Sequence, residues 1–238
     1  MKKLFLLTVL LVLSASCSND DGFEEANGQV AKKYLTKAIT NGDNQTHMYE
    51  ISYNSDGNVN TISNGTSIRS FIYDSGNLTN IAGEGDDLIM NEVYNTIYDG
   101  YEIGQVLQYD EKGNPIKLEL YDYDWQNNQE IFIANITYDQ KPFMFYYTLD
   151  AAGIIEVLNN TRLNFSFVPT APEIIMAKLL LPVNNPVGAT INNENGNEVG
   201  RVTVSYDYDS DNYPNSALVT TVEDGYVNSY TVNYEYRN

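Results

Sequence analysis

The chain has one cysteine, Cys17, and one histidine, His47. An activated serine or cysteine nucleophile needs a base within hydrogen-bond reach. Here the single histidine lies beside an expected hairpin turn, and no Gly-x-Ser-x-Gly elbow occurs. His47 is therefore read as a solvated turn residue. A zinc site, which draws on several His and Cys ligands, is equally unsupported. A lone cysteine forms no internal disulfide, and an exposed thiol is a liability in an oxidising compartment. No catalytic residues are expected, and the chain is read as a non-enzyme.

Two further sets carry usable chemistry. Asp207, Asp209 and Asp211 space oxygen ligands as a calcium loop begins. Position six is then Asn212 instead of Gly, and position twelve is Leu218 instead of Glu. Turn capping is the favoured reading, with a weak Ca2+ site as the alternative. No cofactor is otherwise expected. Tyr121, Tyr123 and Trp125, with Asp122 among them, have the apolar faces and polar tips that stack on sugars or grip proteins. A half-buried sheet face and a hairpin end would explain the same residues. Paired carboxylates for glycoside hydrolysis are uninformative here, because 32 acidic residues are spread through the chain.

The elements that must position these groups read as β. Twenty tyrosines favour strands, while abundant Asn, Asp and Gly favour tight turns. A degenerate punctuation recurs at Tyr53-Asn54-Ser55-Asp56-Gly57-Asn58, Tyr73-Asp74-Ser75-Gly76-Asn77, Tyr109-Asp110-Glu111-Lys112-Gly113-Asn114 and Tyr208-Asp209-Ser210-Asp211-Asn212. Each copy reads as strand, turn, strand. Asx caps the turn, and Gly or Asn supplies a positive φ. Alternation supports strands at 48–53, 201–208 and 226–236. Further strands are expected at 34–40, 67–73, 78–82, 116–122, 130–138, 143–149 and 213–222. Thr170-Ala171-Pro172-Glu173 opens a short helix over 171–181, stopped by Pro182. Its apolar residues run nearly all the way round, so it is expected to be buried as a plug of the sheet's concave side or of a barrel mouth, with a strand as the alternative for so short a run. Residues 84–87 and 184–200 read as exposed loops. The fold class is all-β: an antiparallel meander of hairpins forming a curved sheet or barrel-like domain over 29–238.

Residues 1–16 read as a signal segment, with Lys2 and Lys3, an apolar run from Leu4 to Leu13 and a small-residue exit. Such a run is too short to span a bilayer. Leu13-Ser14-Ala15-Ser16-Cys17 resembles the lipobox of bacterial lipoproteins, although Ser14 stands where a larger aliphatic is frequent. The resemblance implies cleavage before Cys17, lipidation of its sulfur and attachment to a membrane through lipid alone. Residues 17–28 are expected to form a flexible acidic tether. Their acidic start is similar to the export signal of surface lipoproteins of the Bacteroidota, which implies an outer-membrane, cell-surface position; a periplasm-facing one is the alternative. Removing the signal leaves 222 residues with 11 basic against 32 acidic, a charge of −21. That balance disfavours nucleic acid.

The turn motif resembles the tyrosine–aspartate repeats of bacterial surface and toxin shells. The wider pattern is similar to secreted Bacteroidota proteins with an uncharacterised domain of porin-like fold. It comprises hairpins around Tyr-Asp-x-x-Gly-Asn, the central Tyr138-Asp139-Gln140-Lys141-Pro142-Phe143, a Pro-bounded apolar segment and a closing Tyr-rich hairpin. That resemblance implies a curved or barrel-like antiparallel sheet and transfers no catalytic residue. The mature chain lacks the lipid-facing apolar band of an outer-membrane barrel. The expected function is a surface lipoprotein that binds an extracellular glycan or protein. A carboxylate-dependent hydrolase and a structural envelope component are the alternatives.

Overall fold

A computed structural model describes residues 19–42, 45–84, 101–160, 172–223 and 225–238. Twelve strands are β1 (Tyr34–Gly42), β2 (Gln45–Tyr53), β3 (Val59–Ser63), β4 (Ile68–Asp74), β5 (Asn77–Glu84), β6 (Glu102–Tyr109), β7 (Pro115–Tyr123), β8 (Gln129–Pro142), β9 (Asn184–Asn193), β10 (Glu198–Tyr208), β11 (Pro214–Glu223) and β12 (Tyr226–Arg237). Four short helices are α1 (Asn19–Asn27), α2 (Tyr146–Ala151), α3 (Ile154–Asn160) and α4 (Pro172–Leu180). Among the described residues, no helix is long and apolar enough to cross a membrane.

All strands join one antiparallel sheet in the order β5-β4-β3-β2-β1-β12-β11-β10-β9-β8-β7-β6. The first and last strands thus pair at its centre, with Ala38 opposite Tyr234. The chain meanders out to β5, crosses to the far edge at β6 and meanders back. β5 and β6 remain edges, so the sheet is open and not a closed barrel. Alternate side chains point inward, as on β2, where Tyr49 and Ile51 are buried and Glu50 and Ser52 exposed.

The strand directions define two rims. All four Tyr-Asx turns fall on one end, here the lower rim, at 54–58, 75–76, 110–114 and 209–213. The turns at 64–67, 124–128 and 194–197 form the upper rim, where β11 also ends and β12 begins.

A plug from the β8–β9 connection fills much of the concave face. Phe143, Met144, Phe145, Tyr146 and Tyr147 are all buried, in one cluster with Phe71 of β4, Val202 of β10 and Val219 of β11. Strands from both halves meet on it, so the sheet curves around it. Gly153, with φ +75°, brings the α2–α3 turn so close to β5 that an added Cβ would lie 2.9 Å from Leu78 Cβ. A second cluster, Leu118, Leu120, Phe132, Ala134, Ile136, Ala189 and Ile191, lies under β7–β9.

Four expectations need correction. Residues 143–149, expected as a strand, form a turn and α2. Five consecutive buried side chains suit a plug enclosed by the sheet, whereas a strand would send alternate ones outward. The helix expected over 171–181 is present as α4, but it is not the buried plug. Leu180 packs on the second cluster, while Ile175 and Leu179, one turn apart, are 38% and 41% exposed. Residues 184–200, expected as a loop, supply β9 and the start of β10, with Asn184 and Asn185 wholly buried. The expected flexible tether holds α1, whose Phe23 is wholly buried. The expected loop at 84–87 lies outside the described residues beyond Glu84, which ends β5.

Candidate functional site

The lower rim is built by one repeated turn. In Asn54, Asp110 and Asp209 the side-chain Oδ1 accepts the backbone N–H groups two and four residues on. Asp124 and Asn193 do the same on the upper rim. The fourth residue takes a positive φ, which Gly113 adopts freely and Asn212 adopts at 67°. The tyrosine before each lower turn ties the rim together. Tyr53 donates to Leu35 O, Tyr73 to Val59 O, Tyr109 to Leu179 O and Tyr208 to Asp139 Oδ2. The motif is therefore structural, with Asx closing the turn and Tyr bonding inward.

The three aspartates of the candidate Ca2+ loop do not converge. Asp207 lies on the exposed face of β10. Lys33 Nζ stands 2.5 Å from Asp209 Oδ2 and 2.7 Å from Asp211 Oδ2, so an ammonium sits where a cation would be bound. Among the described residues, no group of three His, Cys, Asp or Glu side chains is arranged to hold a metal. Burial opposes ionisation of Asp209, but hydrogen bonds from Lys33 and from the Tyr213 and Asp211 amides outweigh it and hold the carboxyl below its usual range. This interaction is present above an unfolded carboxylate value of about 3.9 and is lost as pH falls through the lower folded value. Asp209→Ala should cost about 1–2 kcal/mol in a denaturant titration at neutral pH. Asp209→Asn keeps the turn acceptor and should cost less. Equal losses would show that Oδ1 does not organise the turn.

The Asp139 carboxyl is held above its usual range. Burial raises it, against the hydrogen bonds from the Tyr208 hydroxyl and the Lys141 amide. Burial also raises the Tyr208 hydroxyl, helped by Asp139. The pair sits at the plugged rim, where Asn185 Nδ2 also reaches Tyr208, so its partners are structural.

On the upper rim the structure separates the aromatic trio. Tyr121 donates to Glu119 Oε1 at 2.6 Å, a bond that raises its hydroxyl pKa. Its ring covers Gly104, where an added Cβ would stand 2.6 Å from it. Tyr123 reaches Glu102 Oε2 at 3.4 Å on the same outer face. Trp125 rides the Asp124 turn and is 90% exposed. That turn is tightly wired. Asn128 Nδ2 donates to Asp124 Oδ2, and this bond with the Asn128 and Gln126 amides holds the Asp124 carboxyl low. On the same rim, at the β11–β12 hairpin, Tyr226 is 82% and Val227 67% exposed.

Behind this rim, on the concave side, opens a cleft of about 480 Å³. Tyr101, Phe132 and Val199 give it an apolar floor, and Asp122, Glu130, Glu194 and Glu223 ring it. Tyr101 meets Phe132 edge-on at 5.1 Å. Sequence reasoning named Asp122 only as a neighbour of the aromatics and missed the other acids. They come from β8, the β9–β10 turn and β11, and no local spacing links them. His47 is on β2, with Nε2 3.3 Å from Gln45 Oε1. Cys17 lies outside the described residues.

The geometry defines an open, plugged antiparallel β domain with a tied lower rim and an aromatic, acidic upper one. No protein-family model matches the chain, and no curated protein sequence does. Among solved structures it is similar to a porin-like protein from Bacteroides uniformis, at 11% identity, covering 88% of this chain and 99% of that one, TM-score 0.36. A porin-like protein from Bacteroides vulgatus is 11% identical over 87% and 99%, TM-score 0.32. A LolA-superfamily protein from Nitrosomonas europaea is 10% identical over 92% of each chain, TM-score 0.28. Similarity at this level assigns no function.

Proposed function

We propose that this chain is a lipid-anchored envelope lipoprotein whose β domain is a non-enzymatic binding module for an extracellular glycan or protein. The observation that carries the binding reading is Trp125, an almost fully exposed indole on a hydrogen-bonded turn beside an acidic cleft. A rigid aromatic presented in this way buries large area at little conformational cost when a partner arrives. The surface position rests on the lipobox-like and acidic segments around Cys17.

The test has two parts. Cys17→Ala should abolish lipid labelling and release the protein from the membrane fraction; retention would sink the anchor. A glycan array and an envelope-protein pull-down with the isolated β domain should return a ligand that Trp125→Ala weakens by at least about tenfold, the value of a 1.4 kcal/mol contact. Binding unaffected by that substitution would remove the upper rim from the site.

One observation favours a second reading, a carboxylate-dependent hydrolase. Asp122 and Glu130 stand directly opposite across β7 and β8 at the cleft. Opposed residues have Cβ atoms about 4.5–5.5 Å apart, close to the carboxyl spacing of retaining glycosidases. Polysaccharide turnover abolished by Glu130→Gln would establish it.

A further inference from the structure

We infer that α1 is a strut which docks the plugged lower rim against the lipid surface and turns the Trp125 rim away from it. This rests on the lipidation of Cys17 proposed above.

Two observations support it. Cys17 is two residues from Asn19, where α1 begins, and two residues reach at most about 7 Å. At most two residues of chain therefore separate the proposed anchor from the helix. Next, α1 is fixed to the plug through Phe23 and to the lower end of the domain through Asn27. Phe23 stacks on Tyr146 with ring centroids 3.7 Å apart. Asn27 Nδ2 donates to Val183 O at 2.9 Å, and its Oδ1 accepts from Asn184 Nδ2 at 2.9 Å.

The chain supplies its own reporter, because Trp125 is its one tryptophan. The nine residues of β7 put the upper rim about 30 Å from the lower, at about 3.3 Å per residue. A nitroxide quenches fluorescence only at near-contact range. Full-length lipidated protein would be reconstituted into phosphatidylethanolamine–phosphatidylglycerol vesicles bearing headgroup nitroxide lipid. Flotation first confirms attachment. Trp125 should then be quenched no more than in unlipidated Cys17→Ala protein mixed with the same vesicles. A Trp125→Phe/Glu111→Trp variant, with its indole on the lower rim, should be quenched several-fold more. A flexible Gly/Ser insert between Ser18 and Asn19 should raise Trp125 quenching toward that level.

Protein that floats with Trp125 quenched as strongly as Trp at 111 would overturn the orientation and leave the anchor standing. An insert without effect would overturn the role of α1. Protein that does not float would overturn the anchor, and this inference with it.

Discussion

Asn114→Ala is expected to destabilise the domain by at least about 3 kcal/mol. Asn114 is wholly buried and uses its full hydrogen-bonding capacity. Its Oδ1 accepts the backbone N–H groups of Val183 at 2.9 Å and Asn184 at 3.0 Å. Its Nδ2 donates to Asp110 Oδ2 at 2.9 Å and to Asn184 Oδ1 at 3.0 Å. Asn184 passes the connection on to Lys141 O and Asn27 Oδ1. One side chain thus joins the β6–β7 turn, the end of β8, the start of β9 and α1. Truncation leaves two backbone donors, a carboxylate oxygen and an amide oxygen without partners. Each such buried group costs about 1–3 kcal/mol, and their sum is reduced by relaxation and water entry. A loss of about 3 kcal/mol would lower the midpoint of thermal unfolding by about 6–12 °C for a chain of this size.

Asn114→Asp separates this network from simple packing. It is nearly isosteric and still accepts both amides, but at neutral pH it has no donor and faces the Asp110 carboxylate. It should be at least as damaging at pH 7, and should recover part of the loss as the pH falls into the carboxylate range and one oxygen gains a proton. A pH-independent deficit would point to a packing fault.

The same residue shows how far the sequence was legible. Asn114 was readable as the close of a Tyr-Asp-x-x-Gly-Asn turn, because turn chemistry is local: Asp110, Gly113 and Asn114 lie within five residues. Its partner Asn184 lies seventy residues on, in a stretch whose Asn and Gly content reads as loop. Nothing local says that β9 begins there with two buried amides. Strand alternation was equally visible on β2, β10 and β12, since one face is wet. It failed at Phe143–Tyr147, where every side chain is buried and periodicity is erased. The upper-rim cleft was hidden for the same reason as the network. Asp122 and Glu130 are neighbours across a hairpin, but Glu194 and Glu223 join them only once the sheet has curved. Trp125 was visible as a residue type, whereas its separation from Tyr121 depends on which face each strand position takes.

Phe23→Ala carries the other large expected effect, and it is a local one. In α1, Asn-Asp-Asp-Gly-Phe-Glu-Glu-Ala-Asn, Phe23 is the one large apolar residue. Its ring lies parallel to Tyr146 within 3° and edge-on to Tyr147 at 5.6 Å. Truncating a buried phenylalanine costs about 3–5 kcal/mol where the surroundings cannot collapse. A nine-residue helix containing Gly22 is marginal without tertiary contacts, so its docking depends on that ring. Once the docking free energy falls below the cost of the cavity, the helix leaves and the sheet stays folded. Amide hydrogens across 23–28 should then exchange at rates near those of an unstructured chain, while those of β1, β11 and β12 keep their protection. Phe23→Tyr, which keeps the stacked ring, should retain most of the protection. Slow exchange across 23–28 in Phe23→Ala would mean that Asn27 and its two partners hold α1 unaided. Fast exchange would convert the first residues after Cys17 into the flexible acidic tether that their composition describes, and Phe23 would be the side chain that keeps the wild-type chain from that state.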